Sequence, residues 1–196
     1  MLYQSEVNDS VFLLMVNQSI QYIFSKKLDK KAQKQEIEEL GFQLGEKVTN
    51  NLLNTDNNRI TTSEENSTEN YFQFITQSVW EYIFRDKFCQ LTKENDGLNF
   101  VIACGDIRLY NYLVTEIGNL NDPKLEAVLN FICGIIKGAL NVFNIEGIVI
   151  PNVVNYSSHL VKNSKNFPDN QYLFTFNMNV FSDNKEVNEN KNKTKL

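Results

Sequence analysis

The sequence predicts an α+β fold in which helices pack on an antiparallel sheet. Three observations carry this prediction. Apolar residues recur at helical spacing through the N-terminal part of the chain. A hairpin pattern then flanks Asn95-Asp96-Gly97, and one densely apolar helix separates that hairpin from two strands with alternating side chains. Helices and strands that come in runs, rather than in strict alternation, favour antiparallel pairing.

With 196 residues, 42% of them hydrophobic, the chain can bury a sizeable core as a single domain, predicted over 1–181. A net charge of -5, with no run of Lys or Arg in that part, argues against nucleic acid and against an anionic membrane surface as partners. Cys89, Cys104 and Cys133 are odd in number and widely spaced, and His159 is the single histidine, so neither a disulfide framework nor a zinc site is expected. A reducing compartment is. Met1 to Ser10 carries Glu6 and Asp9 and no basic residue, and the apolar run Val11 to Val16 is short, so no signal peptide is expected. The acceptor patterns at Asn17, Asn66 and Asn155 then read as products of an asparagine-rich composition.

The first helix is predicted from Asp9 and Ser10, which can cap it, through Phe24. Its apolar residues fall on two lines, Phe12, Val16, Ile20 and Ile23 on one and Val11, Met15 and Tyr22 on the other. Together they exceed the stripe of about 100° that a surface helix needs, so the helix is either deeply buried or turns one line toward a partner. A second helix spans about Ala32 to Leu53, with Ile37, Leu40, Leu44 and Val48 on one side and Gly41 and Gly45 inside it.

The polar stretch at 54–70 reads as a surface loop. Ser67 or Thr68 can cap a third helix reaching about Arg85, with Phe72, Ile75, Val79 and Ile83 as core residues and Phe74, Trp80 and Phe84 adding aromatic bulk. Phe88 to Thr92 and Leu98 to Ile102 form the hairpin, and a short helical turn is expected near Leu109 to Thr115.

Asp122-Pro123 opens the central helix, an N-cap carboxylate followed by proline where the missing N–H costs nothing. Between Glu126 and Glu146 the only charge is Lys137, yet Gly134 and Gly138 interrupt the apolar text. Glycine inside a helix costs about 1 kcal/mol relative to alanine, so the pair implies a second element packed backbone to backbone. Ile148 to Val154, interrupted by Pro151, reads as an edge or bulged strand, and Tyr172 to Met178 as a last alternating strand. The residues 182–196 are Asn/Lys/Glu-rich and read as a disordered tail.

Catalysis is not indicated. His159 adjoins Ser157 and Ser158, but triad partners converge through folding rather than adjacency, and haem ligation by His159 lacks a local motif. Gly134, Lys137 and Gly138 lie within a helix and do not form a phosphate loop. Cys133 reads as a small buried hydrophobe, and Glu38 and Glu39 as a solvated helix face.

Gly41-Phe42-Gln43-Leu44-Gly45, Val79-Trp80-Glu81-Tyr82-Ile83-Phe84 and Cys133-Gly134-Ile135-Ile136-Lys137-Gly138-Ala139-Leu140, followed by Ile145-Glu146-Gly147-Ile148-Val149, resemble in order and spacing the small subunits of the TRAPP (transport protein particle) vesicle-tethering complex. Within them the text looks closest to the subunit-six branch. The resemblance implies antiparallel helices against a four-stranded antiparallel sheet. It also implies a non-enzymatic cytoplasmic subunit, peripherally associated with Golgi and ER–Golgi membranes through its complex. Such a subunit pairs with a Bet-three-type subunit largely through its first two helices, within an assembly that promotes nucleotide exchange on a Rab GTPase.

On this reading the partner interface is expected at Val11, Phe12, Met15, Tyr22, Ile37 and Leu44, and close helix packing at Gly41, Gly45, Gly134 and Gly138. No cofactor or metal is expected, and the exposed apolar surface allows a homodimer where the partner is absent. Two features depart from the family. Its T-N-H-x-G hairpin turn is replaced by Lys93-Glu94-Asn95-Asp96-Gly97, and the loop after helix two lacks the cysteine that Bet-three-type subunits acylate. The alternative is a module that binds an apolar ligand, such as an acyl chain, within the aromatic core.

Overall fold

The computed structural model describes residues 2–55, 68–85, 89–94, 99–104, 122–155 and 172–181. Residues 56–67 of the expected polar loop, the turn at 95–97, the helical turn at 109–115, Asn66, His159 and the tail at 182–196 lie outside them.

Helix α1 spans Leu2–Ser25 and helix α2 Lys30–Asn54. The first begins earlier than its candidate caps imply: Asp9 and Ser10 lie inside it, because no proline or glycine precedes them to stop the turn. Asp29 caps α2 by accepting a hydrogen bond of 2.8 Å from the Ala32 N–H.

The third helical segment is continuous but not uniform. It runs as α3 (Thr68–Phe74), a π-helical stretch Ile75–Val79, and α4 (Trp80–Phe84). The Thr76 hydroxyl donates back to Phe72 O and Gln73 O at 3.0 and 3.1 Å, and the Trp80 N–H reaches Ile75 O in the wider π register. Phe72 and Phe74 before the stretch and Trp80 and Phe84 after it are all buried. Arg85 closes the rod in the left-handed region at φ 54°.

Strands β1 (Cys89–Lys93), β2 (Asn99–Cys104), β3 (Gly147–Asn155) and β4 (Tyr172–Val180) form one antiparallel sheet in the order β1-β2-β4-β3. Proline is tolerated in β3 because that strand is an edge, with Pro151 opposite Phe176. Phe174, Phe176 and Met178 alternate inward along β4, with Phe100, Ile102 and Cys104 doing the same on β2. Ring contacts tie the helices to this face, Phe72 on Phe100 at 4.2 Å and Trp80 on Phe176 at 6.1 Å.

Helix α5 (Pro123–Val142) lies at the centre. Asp122 caps it through the Lys124 N–H at 2.9 Å. Its end is a Schellman motif. Asn144 adopts φ 55°, Asn144 N–H donates to Asn141 O at 3.0 Å, and Ile145 N–H to Leu140 O at 3.1 Å. By length and composition α5 could cross a membrane, but 78% of its apolar window is buried inside the fold, as in a core helix. The arrangement is an α+β fold, helices on a four-stranded antiparallel sheet.

Candidate partner interface

The surface that α1 and α2 present is set by how α2 seats on α5. A side chain added at Gly41 would meet the backbone of Phe131 and Ile135, and one at Gly45 that of Ile135, while Gly134 and Gly138 face Glu38, Phe42 and Glu46 of α2 in return. Each glycine thus aims an α-hydrogen at a carbonyl oxygen of the opposite helix: Phe131, Ile135, Glu38 and Phe42 respectively. Such Cα–H···O contacts contribute about 0.5–1 kcal/mol each. The four glycines lower helix propensity by about 1 kcal/mol apiece, and the burial of Ile132, Ile135 and Ile136 between the layers, roughly 1.5–3 kcal/mol per side chain, offsets it. The close approach is flanked by polar links, Lys137 Nζ to Glu38 Oε1 at 2.5 Å and Asn141 Nδ2 to Glu46 Oε1 at 3.2 Å.

On this base α1 divides between two environments. Val16, Ile20 and Ile23 are buried in the core, whereas Val11, Met15 and Tyr22 are 50%, 65% and 64% exposed. Four-residue spacing from Val11 to Met15 and seven more to Tyr22 put them on one side of the helix. Leu14, also exposed, extends the same strip. The sequence reading passed over Leu14, although it stands three residues after Val11 and so on the same helical face.

A groove of about 750 Å³ runs beside this strip, lined by Gln18 and Tyr22 of α1, by Lys26 just past its end, and by Glu36, Leu40 and Gln43 of α2, among others. Its end is organised by Lys26, whose ammonium bonds Glu36 at 2.8 Å and stands 4.9 Å from the Tyr22 ring centroid. The hydrogen bond to Glu36 holds the Lys26 pKa above the ordinary lysine value.

The remaining expected interface residues fall differently. Phe12 and Leu44 are half-buried against the core. Ile37 is corrected: it is buried at 2% exposure and packs the core of its own chain, because the seating of α2 on α5 turns that side of α2 inward. Exposure along α2 lies instead at Gln35, Glu39 and Gln43, which makes its outer side polar.

Among the described residues, no group of three or more His, Cys, Asp or Glu side chains gathers to hold a metal. Cys133 lies beside the glycine contact, and burial pushes its thiol up to about 12 despite the opposing charge of Lys137. That suppresses the thiolate and with it nucleophilic reactivity. Glu38, read from the sequence as part of a solvated face, is instead the partner of Lys137.

No curated protein sequence matches the chain significantly. The fold matches a crystal structure of a trafficking protein particle complex subunit 3 from Naegleria fowleri covalently bound to palmitic acid, with a TM-score of 0.65 and 12% identity over 90% of this chain and 97% of that one. A family model described as transport protein particle (TRAPP) component matches residues 12–167, more than half of the sequence. The chain therefore belongs to the TRAPP component family.

Proposed function

We propose that this protein is a non-enzymatic subunit of a TRAPP-type vesicle-tethering assembly, of the subunit-six branch, and that it pairs with a Bet-three-type subunit through α1 and the adjoining side of α2. The observation that carries the reading is the strip Val11, Leu14, Met15 and Tyr22, large apolar side chains left exposed on a helix whose other side already fills the core. The motif order from Gly41-Phe42 through Cys133-Gly134 to Ile145-Glu146 supports the branch. In the assembly the protein contributes to nucleotide exchange on a Rab GTPase as a scaffold, and it reaches Golgi and ER–Golgi membranes through its complex.

Size-exclusion chromatography with light scattering, on the chain mixed with a Bet-three-type subunit, tests this. A one-to-one heterodimer is expected, and two separate monomer peaks at micromolar concentration would sink the proposal.

The reading as an acyl-binding module is not favoured. An apolar ligand inside the aromatic core needs room there, and Phe72, Trp80, Phe100 and Phe176 are instead buried and packed on one another. The exposed strip on α1 has no role in that reading.

A further inference from the structure

Two cysteines sit face to face on neighbouring strands. Cys89 on β1 and Cys104 on β2 are directly opposite in the antiparallel register, both are reduced, and their sulfurs are 3.6 Å apart. The kind of pair matters. Glu94 N–H donates to Asn99 O at 2.9 Å, so 94 and 99 form a hydrogen-bonded pair. Hydrogen-bonded and open pairs alternate along an antiparallel ladder, and counting back along the register makes Cys89 and Cys104 an open pair, the kind with the closer side chains. Such neighbours fall within the Cα range that a disulfide spans, and closing the sulfurs to about 2.05 Å needs side-chain rotation rather than movement of a strand.

Access is asymmetric. Cys104 is buried, whereas Cys89 is half-buried on the edge strand β1, so an oxidant in solution reaches Cys89 first.

We propose that Cys89 and Cys104 form a reversible redox pair, which a small-molecule disulfide such as glutathione disulfide converts to an intrachain bond stapling edge strand β1 to β2. The Cys89 thiol gives up its proton to solvent, and its thiolate attacks one glutathione sulfur. The S–S bond breaks, one glutathione thiolate leaves, and Cys89 carries a mixed disulfide. Cys104 then passes its proton to the departing group as its sulfur attacks that of Cys89, and the second glutathione leaves as a thiol. In sum two protein thiols lose two electrons and two protons, and one glutathione disulfide becomes two glutathione thiols. The bond closes the loop across 90–103 and holds β1, which among the described residues pairs with β2 alone, in register. Cys133 takes no part, since it is buried on α5 with its thiolate suppressed.

The test uses the full chain, equilibrated with glutathione disulfide, acid-quenched, alkylated under denaturing conditions and mapped by mass spectrometry without reduction. The expected product is a Cys89–Cys104 linked peptide about 2 Da lighter than its two reduced parts, with Cys133 alkylated. A higher melting temperature should accompany it and reverse on adding dithiothreitol. C89S, altered at the half-buried edge position, should keep the reduced protein's melting temperature and lose the oxidative rise. Accumulation of a glutathione adduct on Cys89 with Cys104 still alkylated, a disulfide between two chains, or the absence of oxidation would each overturn the proposal.

Discussion

Gly134 on α5 faces the backbone of Phe42 on α2 so closely that a β-carbon there would stand 2.8 Å from the Phe42 nitrogen. The contact is reciprocal, since Gly41 of α2 meets Phe131 and Ile135 of α5, and among the described elements no other pair packs as extensively. The side of α2 that stays exposed is set by that seat.

A G134A variant separates packing from propensity. Alanine is favoured by about 1 kcal/mol in an isolated helix, yet here its methyl group meets backbone that cannot swing aside. Overpacking of this kind costs typically about 1–3 kcal/mol, so G134A should lower the urea midpoint without changing the slope, and G134V should lower it further. A stabilised G134A would show that the helices stand apart in solution.

Met15→Glu addresses the partner surface. With the side chain 65% exposed, the substitution should leave stability within about 0.5 kcal/mol of wild type. It should weaken pairing with a Bet-three-type subunit at least about tenfold, some 1.4 kcal/mol, in titration calorimetry. Ile37→Glu is the contrast: it places a charge in the core and should unfold the chain before binding can be measured. Unchanged affinity in M15E would move the interface away from α1.

At the end of α5, Asn144 holds φ 55°, a conformation that asparagine tolerates and most residues resist. N144A should destabilise by about 1 kcal/mol, while N144G should match or exceed wild type because glycine enters this region freely. Thermal melts of the three proteins decide it, and equal melting temperatures would contradict the strained-terminus account.

Alkaline pH provides a test of Cys133. Its folded-state pKa of about 12 lies above the ordinary thiol value of 9.0, with burial the main cause. The unfolded chain therefore loses this proton first, and the native state binds more protons between the two values. Stability from the buried neutral thiol is fully present below about pH 9 and falls as pH rises toward about 12, by up to about 1.4 kcal/mol per unit. Under reducing conditions the stability difference between wild type and C133A should be level up to about pH 9 and then shift against wild type. A difference that stays level to about pH 11 would place Cys133 in contact with water.

Sequence patterns were informative where the physics is local. Apolar periodicity located α2, dense apolar text and Asp122-Pro123 located α5 and its start, and Pro151 left β3 as an edge or a bulged strand, of which the sheet order shows the edge. The π-helical stretch at Ile75–Val79 was not visible, because the text on either side of it has ordinary helical periodicity and the shift in register is set by what each end packs against. The early start of α1 was missed for a related reason, since a capping residue inside a sequence does not oblige a helix to begin there.

By itself the sequence determined the α+β class, the element order, the two lines on helix one and the presence of two glycine pairs that demand close neighbours. Only the tertiary structure decided that those pairs answer each other, with Gly41 and Gly45 against α5 and Gly134 and Gly138 against α2. The reason is that a glycine states a need for space without naming the backbone that fills it. The same seating turned Ile37 inward, while α1 buries Val16, Ile20 and Ile23 and leaves Met15 and Tyr22 outside, a choice that periodicity cannot make on α1 because both its lines are apolar. It is the rotation of a helix about its axis, fixed by contacts distant in sequence, that separates the core from the exposed apolar strip here.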